Sequence, residues 1–362
     1  MKLGILTFHS AHNYGAVLQA YGLQQHLASM GHDVYVIDYR PDYITHCYPR
    51  DGRAFWMSSK PTECTTGLVN YFIHKGIRHK RWDNFERFVR ERLRLYPYSK
   101  GMDFQDFDAV FIGSDQVWSL AHTGGHFDGL FFGDGFRCKV ITYAPSCTSL
   151  SLNDGQKAFF SEHLNAMAAV SVREADMKRV LQPLTDKEIA VVVDPSLLAG
   201  KRCFDPIASP IHRERPYILT YEIGDHPEVY NMAKAMARRI DADIVELVNG
   251  MRVYHRRSMH EDASPEEFLG YIKHAACVLT TSFHGTAFSL LFHTPFYTVL
   301  QHSSADTRMV SLLTAMHMDD RMIDMGIVPP ITPLDANLVD RNLSRLVSTS
   351  SDFIKKALER EK

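Results

Sequence analysis

The sequence lacks the features that define several large classes of protein. No run of about 18 apolar residues occurs in it, so no membrane-spanning helix is predicted. The apolar stretch at the N-terminus ends at Phe8, which is too short for the core of a secretion signal. The six cysteines are scattered, without a C-x-x-C pair, and this favours a reducing compartment over a disulfide framework. We therefore expect a cytoplasmic protein.

A surplus of charge is missing as well. The formal net charge of the 362 residues is −2 and 45% of them are hydrophobic, which is typical of a globular protein. A nucleic-acid-binding protein would show a strongly basic domain, so we expect no nucleic-acid partner. The 19 histidines include no H-E-x-x-H motif and no spacing that brings a third metal ligand into reach. We expect no metal ion, and we interpret most of these histidines as surface residues.

Strand and helix patterns alternate along the chain. Residues 2–8, 15–30 and 33–39 are predicted to form a strand, a helix and a strand, and such a βαβ unit implies a parallel sheet with a right-handed crossover. Residues 217–247 repeat the pattern after a stretch rich in proline and arginine, residues 201–216, which we interpret as a linker. The sequence therefore predicts an α/β fold of two Rossmann-like domains that face each other across a cleft.

The length of the chain allows two domains, each with its own core. The predicted limits are residues 1–205 for the first domain, 216–330 for the second, and 331–362 for an amphipathic C-terminal helical tail. In open α/β sheets the ligand binds beyond the carboxyl ends of the strands. That rule selects four polar loops as candidate site segments, namely residues 9–15, 113–118, 173–174 and 281–285.

The first candidate is the turn Thr281-Ser282-Phe283-His284-Gly285. It leaves a buried strand and opens a helix at Gly285, so Ser282 and His284 are predicted to lie at a helix N-terminus, which attracts anions. A histidine there suits proton transfer at neutral pH. The alternative is a histidine that only caps or orients the helix.

Arg173 is the second candidate, because it ends a predicted strand directly before a helix. Its guanidinium group can donate two parallel hydrogen bonds to a carboxylate or a phosphate. The alternative is a surface ion pair with Glu174 or Asp176.

The third candidate is the loop Gly113-Ser114-Asp115-Gln116-Val117-Trp118. Asp115 and Gln116 can hold sugar hydroxyls, and Trp118 can offer a stacking face. The alternative is an ordinary helix cap at Ser114 and Asp115, with Trp118 in the core.

The fourth candidate is the segment His12-Asn13-Tyr14-Gly15 after the first strand. It lacks the G-x-G-x-x-G pattern of a dinucleotide site, so we reject an NAD enzyme. Asn13 and the helix N-terminus at Gly15 could still hold an oxyanion or a sugar.

Together these segments resemble the polysaccharide pyruvyltransferases, in order and over residues 2–325. The resemblance rests on the following stretches of the sequence: Asn13-Tyr14-Gly15-Ala16-Val17-Leu18-Gln19, Gly113 to Trp118, Tyr143-Ala144-Pro145-Ser146, Ser171-Val172-Arg173-Glu174, Asp194-Pro195, Thr281 to Gly285, Pro295-Phe296, and Arg308 before Leu312-Leu313. It implies a fold of the glycosyltransferase-B type. It also implies transfer of the enolpyruvyl group of phosphoenolpyruvate onto two hydroxyls of a sugar, with a cyclic pyruvate ketal and phosphate as products and without a cofactor.

The resemblance also implies roles for the candidate residues. His284 would be the general acid and base, and Arg173 would bind the phosphate or carboxylate of the donor. Asn13, Asp115 and Gln116 would orient the acceptor. Further members of the predicted binding site are Gly15, Ser114, Trp118, Ser282, Gly285 and Arg308.

The turn at His284 departs from the family pattern S-R-L-H-G. Ser282 stands at the arginine position and Phe283 at the leucine position, so one expected anion ligand is absent. Either Arg173, Arg308 and the helix N-terminus suffice, or the donor differs.

Residues 74–95 are predicted to form a basic amphipathic helix. Such a helix could lie on an anionic membrane, which would suit a lipid-linked oligosaccharide as acceptor and a peripheral position on the inner face of the membrane. The alternative is that its apolar side packs on the first domain. The basic residues of this helix and of the segment after it are Lys75, Arg78, Lys80, Arg81, Arg87, Arg90, Arg92, Arg94 and Lys100.

Two other functions stay open at this point. A nucleotide-sugar-dependent glycosyltransferase of the same fold would need a nucleotide pocket in the second domain, for which Tyr221 and Glu222 are candidates. A non-catalytic scaffold in a polysaccharide assembly complex would need neither His284 nor Arg173.

Overall fold

The structure is a computed structural model that describes residues 1–50, 61–102, 104–147, 150–248 and 256–359, with side chains left out for residues 61–74. Its first half is built on a parallel sheet with the strand order β3-β2-β1-β4-β5. The strands are β1 (Lys2–Leu6), β2 (Asp33–Ile37), β3 (Leu95–Tyr96), β4 (Ala109–Ile112) and β5 (Lys139–Thr142). A separate parallel pair, β6 (Val170–Val172) and β7 (Ile189–Val191), follows in the chain. A bridge between Ile141 and Ala169 joins this pair to β5.

Helices cover this sheet and continue beyond it. They are α1 (Tyr14–Ser29), α2 (Asp42–Thr45), α3 (Pro61–Arg92), α4 (Asp154–Ala166), α5 (Ala175–Leu181), α6 (Pro195–Ala199) and α7 (Lys201–Phe204). The predicted linker at residues 201–216 begins with a helix, α7, before it becomes irregular.

The second half is a six-stranded parallel sheet with the order β10-β9-β8-β11-β12-β13. Its strands are β8 (Tyr217–Glu222), β9 (Asp243–Val248), β10 (Met259–His260), β11 (Cys277–Thr280), β12 (Phe296–Leu300) and β13 (Met322–Asp324). Its helices are α8 (Pro227–Arg239), α9 (Pro265–His274), α10 (Phe283–Phe292) and α11 (Thr307–Ala315). The sequence interpretation missed β10, β12, α11 and β13.

The two halves share an apolar core. Tyr14 at the start of α1 stacks on Phe268 of α9 with ring centroids 4.5 Å apart, and its hydroxyl donates to the carbonyl of Ala263 at 2.9 Å. Arg81 of α3 donates to backbone carbonyls of the second half at Val248 and Glu261. The α/β prediction of two Rossmann-like halves in the glycosyltransferase-B arrangement is confirmed.

The C-terminal helix α12 (Ala336–Glu359) returns to the first half. The backbone N–H of Val193 donates to the Ser350 hydroxyl at 3.0 Å, and Lys139 donates to the carbonyl of Leu358 at 2.9 Å. The helical tail is therefore confirmed as an element. The exact limits of the domains, residues 1–205, 216–330 and 331–362, stay a proposal.

The apolar side of the basic helix is buried. Phe85, Phe88 and Val89 of α3 are fully buried in the shared core. Burial of these side chains leaves no apolar face on this part of α3 for a lipid surface. Within the described residues, no helix is both long and apolar enough to cross a membrane.

Candidate active site

The candidate residues lie where the strand order of each sheet reverses. In the first sheet the reversal lies between β1 and β4, and in the second between β8 and β11. Ligands of open α/β sheets bind at such switch points. Asn13 and Asp115 lie in the loops after β1 and β4, and His284 lies in the first turn of α10, just after β11, so the rule selects the segments that the sequence indicates.

Gly15 of the first half lies directly against the His284 ring of the second half. A Cβ atom added to Gly15 would overlap the imidazole ring of His284, with Nδ1 as the nearest atom. Only glycine allows the ring to rest on this backbone. The Nδ1 edge of His284 is therefore closed by α1, and the Nε2 edge is the one that can serve a ligand.

Local sequence explains how His284 is held. Ser282 is the N-cap of α10, and its side chain accepts from the N–H of Gly285. His284 is 8% exposed, and its Nε2 atom has no hydrogen-bond partner among the described residues. Burial lowers the pKa of His284, with the Asp194 charge opposing and the Arg173 charge adding to that effect. A lowered pKa favours the neutral ring at neutral pH.

Arg173 is buried and held by carboxylates on two sides. Its Nη1 donates to Asp194 at 2.6 Å and its Nε to Glu174 at 3.0 Å. The Ser146 hydroxyl donates to the same Glu174 oxygen at 2.7 Å, and the ring of Phe283 lies 4.8 Å from the guanidinium carbon. The alternative of a surface ion pair is wrong, because Arg173 and Glu174 are both buried.

Asp194 is a functional candidate that the sequence interpretation missed. It caps the short helix α6, whose first residue is Pro195, and it is 1% exposed. Besides Arg173, its carboxylate accepts from the N–H of Ser196 at 2.9 Å and from the hydroxyl of Ser114 at 3.3 Å. Burial raises the pKa of Asp194, but the charges of His284 and Arg173 outweigh burial, so the net shift is downward. An Asp-Pro pair shortly after a strand, with Asp as N-cap and Pro at the first helical position, is the signal that could have found this residue.

Arg308 on α11 brings a second guanidinium to the site. Burial lowers the pKa of Arg308, and the like charge of Arg173 lowers it further. Its Nε has no hydrogen-bond partner within the described part of the chain, and the same holds for Nη2 of Arg173. Buried polar groups are nearly always paired in the functional state of a protein. These two unpaired guanidinium donors, together with the unpaired Nε2 of His284, indicate a site for an anion.

The loop after β4 is divided between site and core. Ser114 is buried against Asp194, whereas Asp115 and Gln116 are half-buried. Trp118 is fully buried, its indole N–H donates to the carbonyl of Phe131 at 2.9 Å, and its ring stacks on Phe132. It offers no stacking face to a ligand, so its predicted role as a substrate-binding residue is wrong.

Asn13 and Gly15 form the start of α1. The Asn13 side chain accepts from the N–H of Gly15 at 2.9 Å and is half-buried. The preceding residue, His12, was not among the predicted site residues, and it contacts Glu86 of α3 at 3.0 Å. Arg40 donates to the same Glu86 carboxylate and to Asp38. The loops after β1 and β2 therefore both contact α3 through the carboxylate of Glu86.

The described residues beside Glu222 leave little room for the nucleotide that a nucleotide-sugar glycosyltransferase would bind. Tyr221 is 1% exposed, and Glu222 is buried as well. The cavity beside Glu222 has about 10 Å³, which is close to the room of a single water molecule. Among the described residues no group of three or more His, Cys, Asp or Glu side chains could hold a metal ion.

Comparison with protein families decides the relationship. The family model of polysaccharide pyruvyl transferases matches residues 13–303, which is most of the chain. This chain belongs to the polysaccharide pyruvyl transferase family. The matched span contains Arg173, Asp194 and His284, and Arg308 lies just beyond its end. The protein is accordingly a transferase.

Comparison with individual proteins gives distant likenesses. No curated protein sequence matches the chain significantly. Among solved structures, the glycosyltransferase SnogD from Streptomyces nogalater is 11% identical with a TM-score of 0.45, covering 99% of this chain and 99% of its own. The UDP-GlcNAc 2-epimerase from Methanocaldococcus jannaschii is 12% identical with a TM-score of 0.46, covering 96% of this chain and 93% of its own. The epimerase from Neisseria meningitidis bound to UDP-GlcNAc is 10% identical with a TM-score of 0.45, covering 100% and 95%. At these scores the likenesses carry no argument about substrate.

Proposed function

We propose that this transferase moves the enolpyruvyl group of phosphoenolpyruvate onto two hydroxyls of a sugar, in the biosynthesis of a surface polysaccharide or exopolysaccharide. The products are a cyclic pyruvate ketal and phosphate. The observation that carries the proposal is the set of three buried nitrogens without partners in the described structure, Nη2 of Arg173, Nε of Arg308 and Nε2 of His284. A small, highly charged anion fits such a set better than a neutral ligand does.

Arg308 makes the missing arginine at position 282 dispensable. Ser282 caps α10, so the helix N-terminus stays open to an anion, and the second guanidinium comes from α11. Arg173 is fixed by Asp194 and Glu174, so one of its nitrogens points to the ligand without reorganisation. The donor's phosphate and carboxylate would share these groups.

The chemistry begins with a proton on C3 of phosphoenolpyruvate, which makes C2 electrophilic. His284 supplies this proton from Nε2. Its lowered pKa would leave the ring neutral in the free enzyme, but a bound anion in contact with the ring favours the protonated form. One sugar hydroxyl then attacks C2, and phosphate leaves with the proton of that hydroxyl as hydrogen phosphate. The second hydroxyl closes the ketal and returns its proton to Nε2 of His284.

The acceptor sugar would lie along the loops after β1 and β4. Asn13, Asp115 and Gln116 are half-buried there and present amide and carboxylate groups that suit sugar hydroxyls. A lipid-linked oligosaccharide stays our proposed form of the acceptor. With the apolar side of α3 buried, any contact of that helix with a membrane would rely on its exposed lysines and arginines.

The test is incubation of the full-length protein with phosphoenolpyruvate and a panel of lipid-linked and nucleotide-linked sugars. We expect release of phosphate together with a gain in acceptor mass equal to the mass of pyruvic acid less one water molecule. Consumption of a sugar nucleotide without use of phosphoenolpyruvate would overturn the proposal in favour of a glycosyltransferase. Absence of turnover with all donors would favour a scaffold.

A further inference from the structure

A large open cavity lies between the two halves of the molecule. Its volume is about 690 Å³, which is within the range of sites for small ligands. The first half contributes residues 174–176 at the start of α5, and the second half contributes the end of β12 and one side of α11. Each wall therefore follows the carboxyl end of a parallel strand, β6 or β12, and ligands of open α/β sheets bind at such ends.

Both walls of this interdomain cavity adjoin residues of the anion site. On the first wall, Glu174 lines the cavity and accepts from Arg173 at 3.0 Å. On the second wall, Thr307 lines the cavity and is the neighbour of Arg308 in α11. A ligand in the interdomain cavity would therefore lie next to the proposed donor.

The same wall is connected to the loop that carries Asp115. The Ser146 hydroxyl donates to Glu174 at 2.7 Å, and the Ser146 N–H donates to the carbonyl of Asp115 at 2.8 Å. Two hydrogen bonds thus separate the interdomain cavity from the loop that we propose for the acceptor sugar. A ligand that extends from one place to the other needs to be larger than a single sugar.

One carboxylate oxygen of Glu174 is left for such a ligand. Oε1 accepts from both Arg173 and Ser146, whereas Oε2 is buried and has no hydrogen-bond partner among the described residues. Buried polar atoms are nearly always paired. An ionised carboxylate only accepts hydrogen bonds, so the missing partner is a donor such as a hydroxyl group.

The charge of the cavity wall does not suit an anion. Among the described residues that line it there is no lysine or arginine, but there are three carboxylates, those of Glu174, Asp176 and Asp306. Asp176 pairs with an arginine of its own helix, and Asp306 accepts from backbone N–H groups just before α11. A phosphate or a carboxylate would be repelled here, so an uncharged ligand fits better.

The face of α11 that lines the cavity is both polar and apolar. Four of its residues recur at i, i+3, i+4 and i+7 and therefore share one side of the helix. They are Thr307, Val310, Ser311 and Thr314. The hydroxyl groups can exchange hydrogen bonds with sugar hydroxyls, and the exposed Val310 can pack against the C–H groups of a sugar ring.

We propose that the interdomain cavity is a second sugar subsite. It binds the residue of an oligosaccharide acceptor that is linked to the sugar receiving the pyruvyl group, and Glu174 Oε2 accepts a hydrogen bond from a hydroxyl of that residue. The loops after β1 and β4 orient the reacting sugar itself. This inference rests on the proposed function and deepens it, because such a subsite selects an oligosaccharide over a single nucleotide-linked sugar.

The first test measures sugar binding without turnover. Cellobiose, maltose, lactose and N,N′-diacetylchitobiose serve as neutral probes, and saturation-transfer NMR detects weak binding of each to the full-length protein. Val310→Trp and Ser311→Phe fill the cavity from the same face of α11. The matched control is Val180→Trp on α5, because Val180 is 38% exposed and Val310 37%, but Val180 does not line the cavity. Thermal unfolding checks that the three variants keep the fold.

We expect saturation transfer to at least one disaccharide with the wild type and with Val180→Trp, and loss of this signal in both filled variants. The affinity for inorganic phosphate should stay at the wild-type value in all of them, because the substitutions leave the three unpaired nitrogens in place. Absence of binding of every disaccharide to the wild type would overturn the subsite. Binding that survives in both filled variants, once they are shown to be folded, would overturn it as well.

The second test measures turnover with phosphoenolpyruvate and an oligosaccharide acceptor that the wild type uses. KM for this acceptor should rise about 10-fold or more in the filled variants, whereas KM for phosphoenolpyruvate should not change. An unchanged KM for the acceptor would overturn the subsite and leave the proposed function intact. Disaccharide binding by a wild type that releases no phosphate from phosphoenolpyruvate would overturn the proposed function, whereas the cavity would stand as a sugar site.

Discussion

The carboxylate of Asp194 lies 3.8 Å from Nε2 of His284, although the two residues come from different halves of the molecule. The same carboxylate holds Arg173 at 2.6 Å. The single buried charge of Asp194 thus orients Arg173, the proposed binding group for the donor, and raises the pKa of His284, the proposed acid. The site exists only where the two halves are docked, because neither half contains all three side chains.

Replacement of Asp194 by asparagine should affect stability and pH dependence together. Loss of one partner of a buried pair costs about 3 kcal/mol of unfolding free energy. The Asp194 charge raises the pKa of His284, so its removal should move the limb on which kcat falls with rising pH to lower pH. Denaturant unfolding and a pH profile of kcat measure the two effects. Asp176→Asn is the control, since Asp176 is exposed and pairs with Arg179 on the surface. An unchanged pH profile in Asp194→Asn would contradict an effect of the Asp194 charge on the pKa of His284.

Replacement of Gly15 by alanine should displace the His284 ring. The added Cβ would overlap the imidazole, whereas the helical backbone of Gly15 is compatible with alanine. We expect kcat to fall by about 100-fold, the usual cost of a misplaced catalytic group. The matched control is Gly76→Ala on α3, where a Cβ would meet no described atom within 4 Å and should leave kcat unchanged. Equal kcat in both variants would argue against contact between Gly15 and the ring.

Strong local signals account for what the sequence could predict. Ser264, Pro265 and Glu267 are a capping box with proline at the first helical position, and α9 begins at Pro265. The strand β11, Cys277–Thr280, is the buried strand predicted before the His284 turn, and its signal is a short apolar run between a helix end and a polar turn. These signals need no knowledge of distant contacts.

Distant contacts explain what the sequence could not predict. Gly15 and His284 are far apart in the chain, and only the docking of the halves brings them together. Trp118 follows two polar residues of the site loop, but the loop turns and the ring enters the core at Phe132. Asp194 resembles a simple helix cap until Arg173 and His284 are placed beside it. Hydrophobic periodicity and helix propensity describe residues that are neighbours along the chain. They therefore do not show that the helix cap Asp194 is also the buried counter-ion of Arg173.

Replacement of Arg308 by alanine should weaken the binding of phosphoenolpyruvate without lowering the stability of the fold. In the described structure Arg308 Nε is buried and unpaired, and the like charge of Arg173 lowers the pKa of the group, so its removal should not lower the free energy of unfolding. A hydrogen bond to a charged ligand is worth about 1.5–3 kcal/mol, so KM for phosphoenolpyruvate should rise about 10- to 100-fold.

The control for Arg308 is Arg345→Ala on α12, where the guanidinium lies at the surface and donates to the carbonyl of Ala315. Its KM should stay at the wild-type value. Steady-state kinetics with varied phosphoenolpyruvate, together with denaturant unfolding, measure both quantities. A lower stability of Arg308→Ala with an unchanged KM would assign Arg308 to the fold rather than to the donor.

Asp38 should make the unfolding free energy of the first half decrease as the pH falls. Its carboxylate lies 2.8 Å from Nε2 of His9 and accepts from Arg40 at 2.6 Å. Burial raises the pKa of Asp38, but the hydrogen bonds and charges of these two partners outweigh it and hold the pKa at about 2. A depressed pKa stabilises the folded state above the unfolded value near 4, and that contribution is lost as the pH falls from about 4 to about 2.

The expected size of this contribution at neutral pH is about 2 kcal/mol of unfolding free energy. Asp38→Asn should therefore unfold at a lower urea concentration than the wild type at neutral pH, and the difference should shrink as the pH approaches the pKa of Asp38. The control is Asp154→Asn, because the Asp154 side chain is 99% exposed and its pair with Lys157 lies on the surface. Urea unfolding at a series of pH values measures the gap. A gap of constant size from neutral to acidic pH would mean that Asp38 acts through hydrogen bonds that asparagine also lacks, and not through its charge.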